Sequence, residues 1–216
     1  MFRFVALLNN DRCLFNTFVP INPDRILHII FGKAKPLNIV QKCYESVCKH
    51  SNQKIILLND QNLADYIRLP DYIEKKKDTG QIPIARYADL MKFAILEHYG
   101  GTWIDSTVYL TDPIPDMILN SDFFAVRNSL LLIDNPVLYP AWFLHAKKGN
   151  KTIREIRNVA FAYCLKKEHI IEYLLPNLII TLAVKSNPEV EQAIPYMNSD
   201  YSEYLVKAAD TQLHVL

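Results

Sequence analysis

The chain has 216 residues, half of them hydrophobic and 22% charged, with a net charge of +1. That length is ample for a packed core, and the composition excludes a disordered chain. Acids and bases are interleaved, so no basic block marks a nucleic-acid binder. The one cluster, Lys75-Lys76-Lys77, sits between Glu74 and Asp78 and reads as a solvated helix end.

The first predicted strand is "RILHIIF" (Arg25 to Phe31), a β-rich run stopped by Gly32. Pro36 then opens a helix in which Ile39, Val40, Cys43 and Val47 recur at three- and four-residue spacing. "KIILL" (Lys54 to Leu58) predicts a second strand, and Asn59-Asp60 a cap for a helix from Gln61. Strand, helix, strand, helix in this order is the pattern of a parallel sheet with crossover helices. Pro70 and Gly80 bracket a stretch expected to be irregular. Pro83 starts the next helix, Gly100-Gly101 ends it, and one strand is expected from Trp103 to Leu110. "DFFAV" (Asp122 to Val126) predicts another strand; "AWFLHA" suits either a strand or a short helix. Gly149-Asn150 precedes a helix to about Lys166, and Ile170 to Val184 reads as a helix bent at Pro176. The chain is expected to be one domain over 1–216, α/β in residues 25–127 and mostly helical in 128–216.

Four cysteines (Cys13, Cys43, Cys48, Cys164) form no CxxC pair or metal-ligand spacing and read as reduced thiols of a cytosolic protein. The apolar run "FVALL" is too short for a secretory signal, and "YLLPNLIITLAV" is too short for a bilayer span. A soluble, cytoplasmic protein is expected, with peripheral contact at the inner face of the membrane left open.

The chemistry concentrates in "ARYADLMKFAILEHYGGTWIDSTVYL", residues 85–110. By strand alternation Trp103, Asp105, Thr107 and Tyr109 share one face, with about 7 Å between the Asp105 and Thr107 Cα atoms. A buried carboxylate is costly, so Asp105 must be exposed, hydrogen-bonded or facing a cation. In open α/β sheets ligands bind beyond the carboxyl ends of strands, where such a residue stands. Arg86, Asp89 and Lys92 are spaced by three and line one helical face. In isolation such a row is a surface ladder of ion pairs, but this helix is otherwise strongly apolar and runs straight into the Asp105 strand.

The same stretch resembles the helix-GG-strand-D-x-[DT] signature of sugar transferases with a DxD-type motif. The nearest likeness is to the capsular polysaccharide synthesis family, related to glycosyltransferase family 32. "PLNIVQKCYESVCKHSNQKIILLNDQNLADYIRLPDYI", "AWFLHAKKGNKTIREIRN" and "IIEYLLPNLIITLAV" extend the resemblance from about Arg25 to Asp200. It implies a GT-A fold, a Rossmann-type α/β/α sandwich with an acceptor-side, mostly helical C-terminal part. It also implies sugar transfer, with retention at the anomeric carbon, from a UDP- or GDP-sugar to a glycan or lipid-linked acceptor. On that resemblance Asp89 and Asp105 are the catalytic acids. His28, Arg86, Asp89, Lys92, Trp103, Asp105 and Thr107 are the donor-binding candidates, the other readings being a packed, hydrogen-bonded histidine for His28 and a buried tryptophan without ligand contact for Trp103. Asp105 holds Mn²⁺ or Mg²⁺, with Thr107 standing where the motif's second acid belongs. A threonine hydroxyl is a neutral and poorer ligand. Lys92 occupies a position often held by arginine and keeps the charge without the bidentate fork. Tyr87 is a candidate base-stacking residue or a core aromatic, and Asp112 a weak candidate base. Trp142 and His145 are acceptor-side candidates. Asn177 stands where relatives carry a histidine, and Glu172 where they carry an aspartate. These departures, with Thr107 and Lys92, support an alternative: an inactive GT-A-fold protein that binds a sugar, nucleotide or protein partner. With only five glycines and no GxGxxG or GxxxxGK[ST] motif, a glycine-cradled phosphate site is poorly supported.

Overall fold

A computed structural model describes residues 4–6, 26–30, 38–59, 61–128, 136–168 and 173–199. Two short backbone segments come first, β1 (Phe4–Ala6) and β2 (Ile26–Ile30). They are followed by α1 (Asn38–His50) and β3 (Lys54–Leu58). A single 3₁₀ turn (Leu63–Asp65) replaces the helix expected from Gln61. Asn59 still serves as a local cap there, its Oδ1 accepting from the backbone N–H groups of Gln61 and Asn62. The stretch expected to be irregular is instead the helix α2 (Asp71–Asp78), with Pro70 at its N-cap. Proline and glycine bracket it as start and stop signals.

The long helix α3 (Ile84–Tyr99) begins after Pro83 and ends at Gly100, whose φ of 72° only glycine adopts without strain. A Cβ there would stand 2.5 Å from the Lys148 backbone nitrogen. The chain then enters β4 (Gly101–Asp105). The single strand expected over Trp103–Leu110 is broken at Ser106-Thr107 by a turn, after which β5 (Val108–Leu110) leaves to pair antiparallel with β1. Next come α4 (Asp116–Leu119), β6 (Phe123–Ala125) and β7 (Phe143–Ala146). "AWFLHA" thus contributes a strand, so the C-terminal part adds to the sheet as well as supplying helices. Those helices are α5 (Lys151–Lys166), α6 (Leu175–Lys185) and α7 (Pro188–Ala193). Pro176 lies in the first turn of α6 and starts the helix; it does not bend it.

The main sheet has the order β3-β2-β4-β7-β6, with β2 parallel to both β3 and β4 and β7 antiparallel to β4 and β6. Helices cover both faces. Trp103, Leu144 and Ala146 pack with Leu90, Phe93 and Ile153 beneath α3, α5 and α6. Ile104, Phe124 and Phe143 pack on the other side with Val40 and Val47 of α1 and Ile118 of α4. Because α3 lies between the sheet and α5, residues Leu90 to Leu96 are all buried, Lys92 among them. Among the described residues no helix is long and apolar enough to cross a membrane. Cys43 and Cys164 are buried and Cys48 is exposed, all as free thiols; Cys13 lies outside the described residues.

Candidate active site

Strand β4 lies between β2 and β7, and Asp105 is its last residue, at the carboxyl end of the central strand. The first turns of α3 run alongside that end and bring Arg86, Asp89 and Lys92 to it. Arg86 Nη1 meets Asp89 Oδ2 at 2.9 Å, and Lys92 Nζ meets Asp89 Oδ1 and Asp105 Oδ1 at 3.1 Å each. The row continues to Trp103, whose indole N–H donates to Asp105 Oδ1 at 2.5 Å. Two cations and two carboxylates therefore alternate in one electrically balanced chain.

Lys92 is its centre. The side chain is 2% exposed, and burying an ammonium is tolerable only if every proton finds an acceptor. It has three, Asp89, Asp105 and the Ala141 carbonyl at 2.8 Å, while the Trp103 ring lies 5.2 Å away. An ammonium's three divergent protons match three acceptors in a way a planar guanidinium does not. Lysine at this position is thus a tripod and not a weakened arginine. Burial works against the charge, but Asp105 and then Asp89 outweigh it and hold the Lys92 pKa above its ordinary value.

Asp105 differs from Asp89. Both Asp89 oxygens are engaged and its side chain is 13% exposed. Asp105 keeps 38% of its side chain accessible, and the described residues make no hydrogen bond to its Oδ2. Burial pushes the Asp105 carboxyl upward, Lys92 pulls it down, and the Asp89 charge adds to the rise. The result is a carboxylate fixed on one oxygen and open on the other.

The backbone beneath is pinned at several points. The Asp105 N–H donates to the Trp142 carbonyl at 2.9 Å. The Ala141 N–H donates to Asn177 Oδ1 at 2.9 Å, and Arg86 Nη1 donates to the Tyr173 carbonyl at 2.7 Å. None of these pairings carries a sequence signal, since each joins segments distant along the chain.

The other predicted residues fall variously. Thr107 is corrected: it lies in the turn after β4 and does not share a strand face with Asp105. Trp103 is 1% exposed and steadies Asp105 from within, so it does not line an open pocket. The backbone register sets His28 opposite Trp103, while its side chain lies outside the described part. Tyr87 is a core residue whose hydroxyl donates to Glu74. Asp112 is exposed beyond the end of β5. His145 faces away from Asp105, sharing a 2.8 Å hydrogen bond between its Nδ1 and Thr102 Oγ1. Burial, then Lys147, pushes its pKa down to about 4, against the Ser121 backbone. Trp142 approaches Asp105 through its backbone and packs its ring edge-on to Phe143. Glu172 lies outside the described residues. An open groove of about 590 Å³ runs between Tyr66–Asp71 and the end of α3 and contains none of the residues above.

A mixed sheet with helices on both faces, and a half-open acid at the tip of its central strand, defines an α/β protein with a candidate site at the strand ends. The chain belongs to the capsular polysaccharide synthesis protein family, whose sequence model matches residues 32–213. Among solved structures it is similar to the PaToxG glycosyltransferase, with a TM-score of 0.51 and 12% identity. That match covers 79% of this chain and 72% of the other. No curated protein sequence matches it.

Proposed function

We propose that this protein is a glycosyltransferase of GT-A type that moves a sugar from a UDP- or GDP-sugar to an acceptor hydroxyl. Its setting would be capsular or other surface polysaccharide synthesis at the cytoplasmic side of the membrane, on a glycan or lipid-linked acceptor. The observation that carries the reading is Asp105: a carboxylate at the tip of the central strand, open on Oδ2 and held on Oδ1 by Lys92 and Trp103. Family membership and the fold shared with a glycosyltransferase support it.

In the transfer, the bond between the sugar's anomeric carbon and the diphosphate oxygen breaks. The acceptor oxygen bonds to that carbon and its proton passes, directly or through water, to the departing nucleoside diphosphate; retention is part of this reading. The oxocarbenium-like state carries positive charge on the sugar while negative charge grows on the leaving phosphate. Asp105 Oδ2 is placed to orient the donor. Lys92 acts on it from beneath as a fixed positive charge, since its protons are spent on protein acceptors. Arg86, 13% exposed, is the second cation on this edge and holds Asp89 in place.

Mn²⁺ or Mg²⁺ belongs to the same reading. Among the described residues no three His, Cys, Asp or Glu side chains gather, and Lys92 lies 3.1 Å from Asp105 Oδ1. The donor set suits an ion held by Asp105 Oδ2 together with the donor diphosphate and water, which needs only one protein carboxylate. Such an ion would neutralise the diphosphate as it departs.

A second reading, an inactive protein that binds nucleotide-sugar, is favoured by the full engagement of Asp89 and Lys92 within the protein. One experiment separates the two: thermal shift and calorimetry with UDP- and GDP-sugars, with and without Mn²⁺, followed by a turnover assay on each donor that binds. Transfer or donor hydrolysis that disappears in Asp105→Asn is the expected result. Binding without turnover establishes the second reading, and no binding of any donor overturns both.

A further inference from the structure

We infer that Asn177 is a positioning residue of this site: its carboxamide fixes the backbone at Ala141 and Trp142, and that backbone sets where Lys92 and Asp105 stand. The inference rests on the glycosyltransferase reading only for its kinetic arm.

The argument starts from what has to be held. Lys92 lies between two carboxylates 3.1 Å away, and its third acceptor, the Ala141 carbonyl, stands 49 residues further along the chain. That carbonyl belongs to a non-strand segment just before β7. A movement of this segment would change the ammonium's position relative to Asp105. The same segment holds Asp105 directly, because its N–H donates to the Trp142 carbonyl at 2.9 Å.

What stops the segment moving is Asn177 Oδ1, which accepts the Ala141 N–H at 2.9 Å. Ala141 is therefore tied on both sides, by its nitrogen to α6 and by its oxygen to α3 through Lys92. Asn177 lies in the first turn of α6, a rigid element whose Pro176 and Ile179 are buried against the core. Supporting groups of this kind act through the residues they orient, and a displacement near 1 Å can cost about a hundredfold in rate.

The sequence offers its own reporter. It contains two tryptophans, and the Trp103 indole N–H donates to the same Asp105 oxygen that meets Lys92. The Trp103 indole resonance in a ¹⁵N–¹H spectrum therefore reads the position of that carboxylate with no substrate present. In the full chain, Asn177→Leu removes the acceptor at similar volume, and Asn177→Asp keeps an acceptor oxygen at a helix start that favours an acid. The indole signal should move upfield in Asn177→Leu and return towards the wild-type position in Asn177→Asp. If the wild type turns over a donor, kcat should fall by roughly ten- to a hundredfold in Asn177→Leu with a smaller change in KM, and Asn177→Asp should recover most of it.

An indole signal that moves and is restored supports the inference even if no donor is ever turned over; in that event only the enzymatic reading fails. An unmoved signal in Asn177→Leu overturns it, whatever the kinetics. Loss of folding in both Asn177→Leu and Asn177→Ala would assign Asn177 to the fold and not the site, and also overturns it.

Discussion

Replacing Lys92 by methionine tests the electrostatic account most directly. Methionine keeps the length of the side chain but removes a charge that is 2% exposed and touches three acceptors. Breaking a buried pair from one side costs about 3–5 kcal/mol, because the partner charge is left uncompensated. Here the lower end applies. Arg86 still holds Asp89 at 2.9 Å, and Asp105 retains the Trp103 indole and 38% accessibility. The expected loss is about 3 kcal/mol, or a Tm lower by about 6–12 °C for a chain of this size. Urea unfolding followed by far-UV circular dichroism measures it without relying on the two tryptophans at the site.

The pH dependence of that loss adds a second check. Without Lys92, the largest influence that lowers Asp105 is gone; the Trp103 hydrogen bond alone then opposes burial, and the carboxyl rises further. A folded-state pKa above the unfolded value near 4 means the folded protein takes up the proton first. The deficit should therefore shrink as pH falls from the variant's folded pKa toward the wild type's, which is itself raised but less so. The double variant Lys92→Met/Asp105→Asn should be more stable than the sum of the two single changes by at least about 1 kcal/mol. A Lys92→Met protein within about 0.5 kcal/mol of wild type, or strict additivity in the double variant, would refute the reasoning.

Two further predictions concern the frame around the site. His145 titrates near 4 in the folded chain, driven down chiefly by burial, against about 6.5 unfolded. Below pH 6.5 the unfolded imidazole takes up a proton that the folded one refuses, so stability falls by on the order of 3 kcal/mol by pH 4. His145→Gln, which can keep a hydrogen bond to Thr102, should flatten that part of the stability curve; an unchanged acid slope would count against it. Gly100→Ala should cost more than about 2 kcal/mol in chemical unfolding, since φ is 72° and the new Cβ meets the Lys148 backbone. Gly80→Ala, with φ of 74° and open space around it, should cost only about 1 kcal/mol of backbone strain. Equal costs would show that the contact with Lys148 is unimportant.

Much of the architecture was legible in the residues because the signals were local. An apolar run marked β3, three- to four-residue periodicity marked α1, Gly149-Asn150 marked the start of α5, and Pro83 with Gly100 marked both ends of α3. The misreadings also have local causes. A two-residue turn preserves the parity of an alternating pattern, so β4 and β5 read as one strand with Thr107 on the Asp105 face. Pro70 and Gly80 are equally good as breakers or as the start and stop of a short helix, and the structure uses them as the latter. Pro176 likewise sits where a helix tolerates it.

The sequence by itself placed Arg86, Asp89 and Lys92 on one helical face, because 3.6 residues per turn bring every third or fourth side chain together, and it singled out Asp105 as an acid where a core residue was due. Only the tertiary structure decided that Lys92 is buried, that its third acceptor is the Ala141 carbonyl, and that Asp105 is left half open. Those facts exist only once β7 has joined β4 and α6 has docked Asn177 against the segment between them. Helical period is written in neighbouring residues, whereas the partners of a buried charge come from wherever the closed fold happens to bring an acceptor.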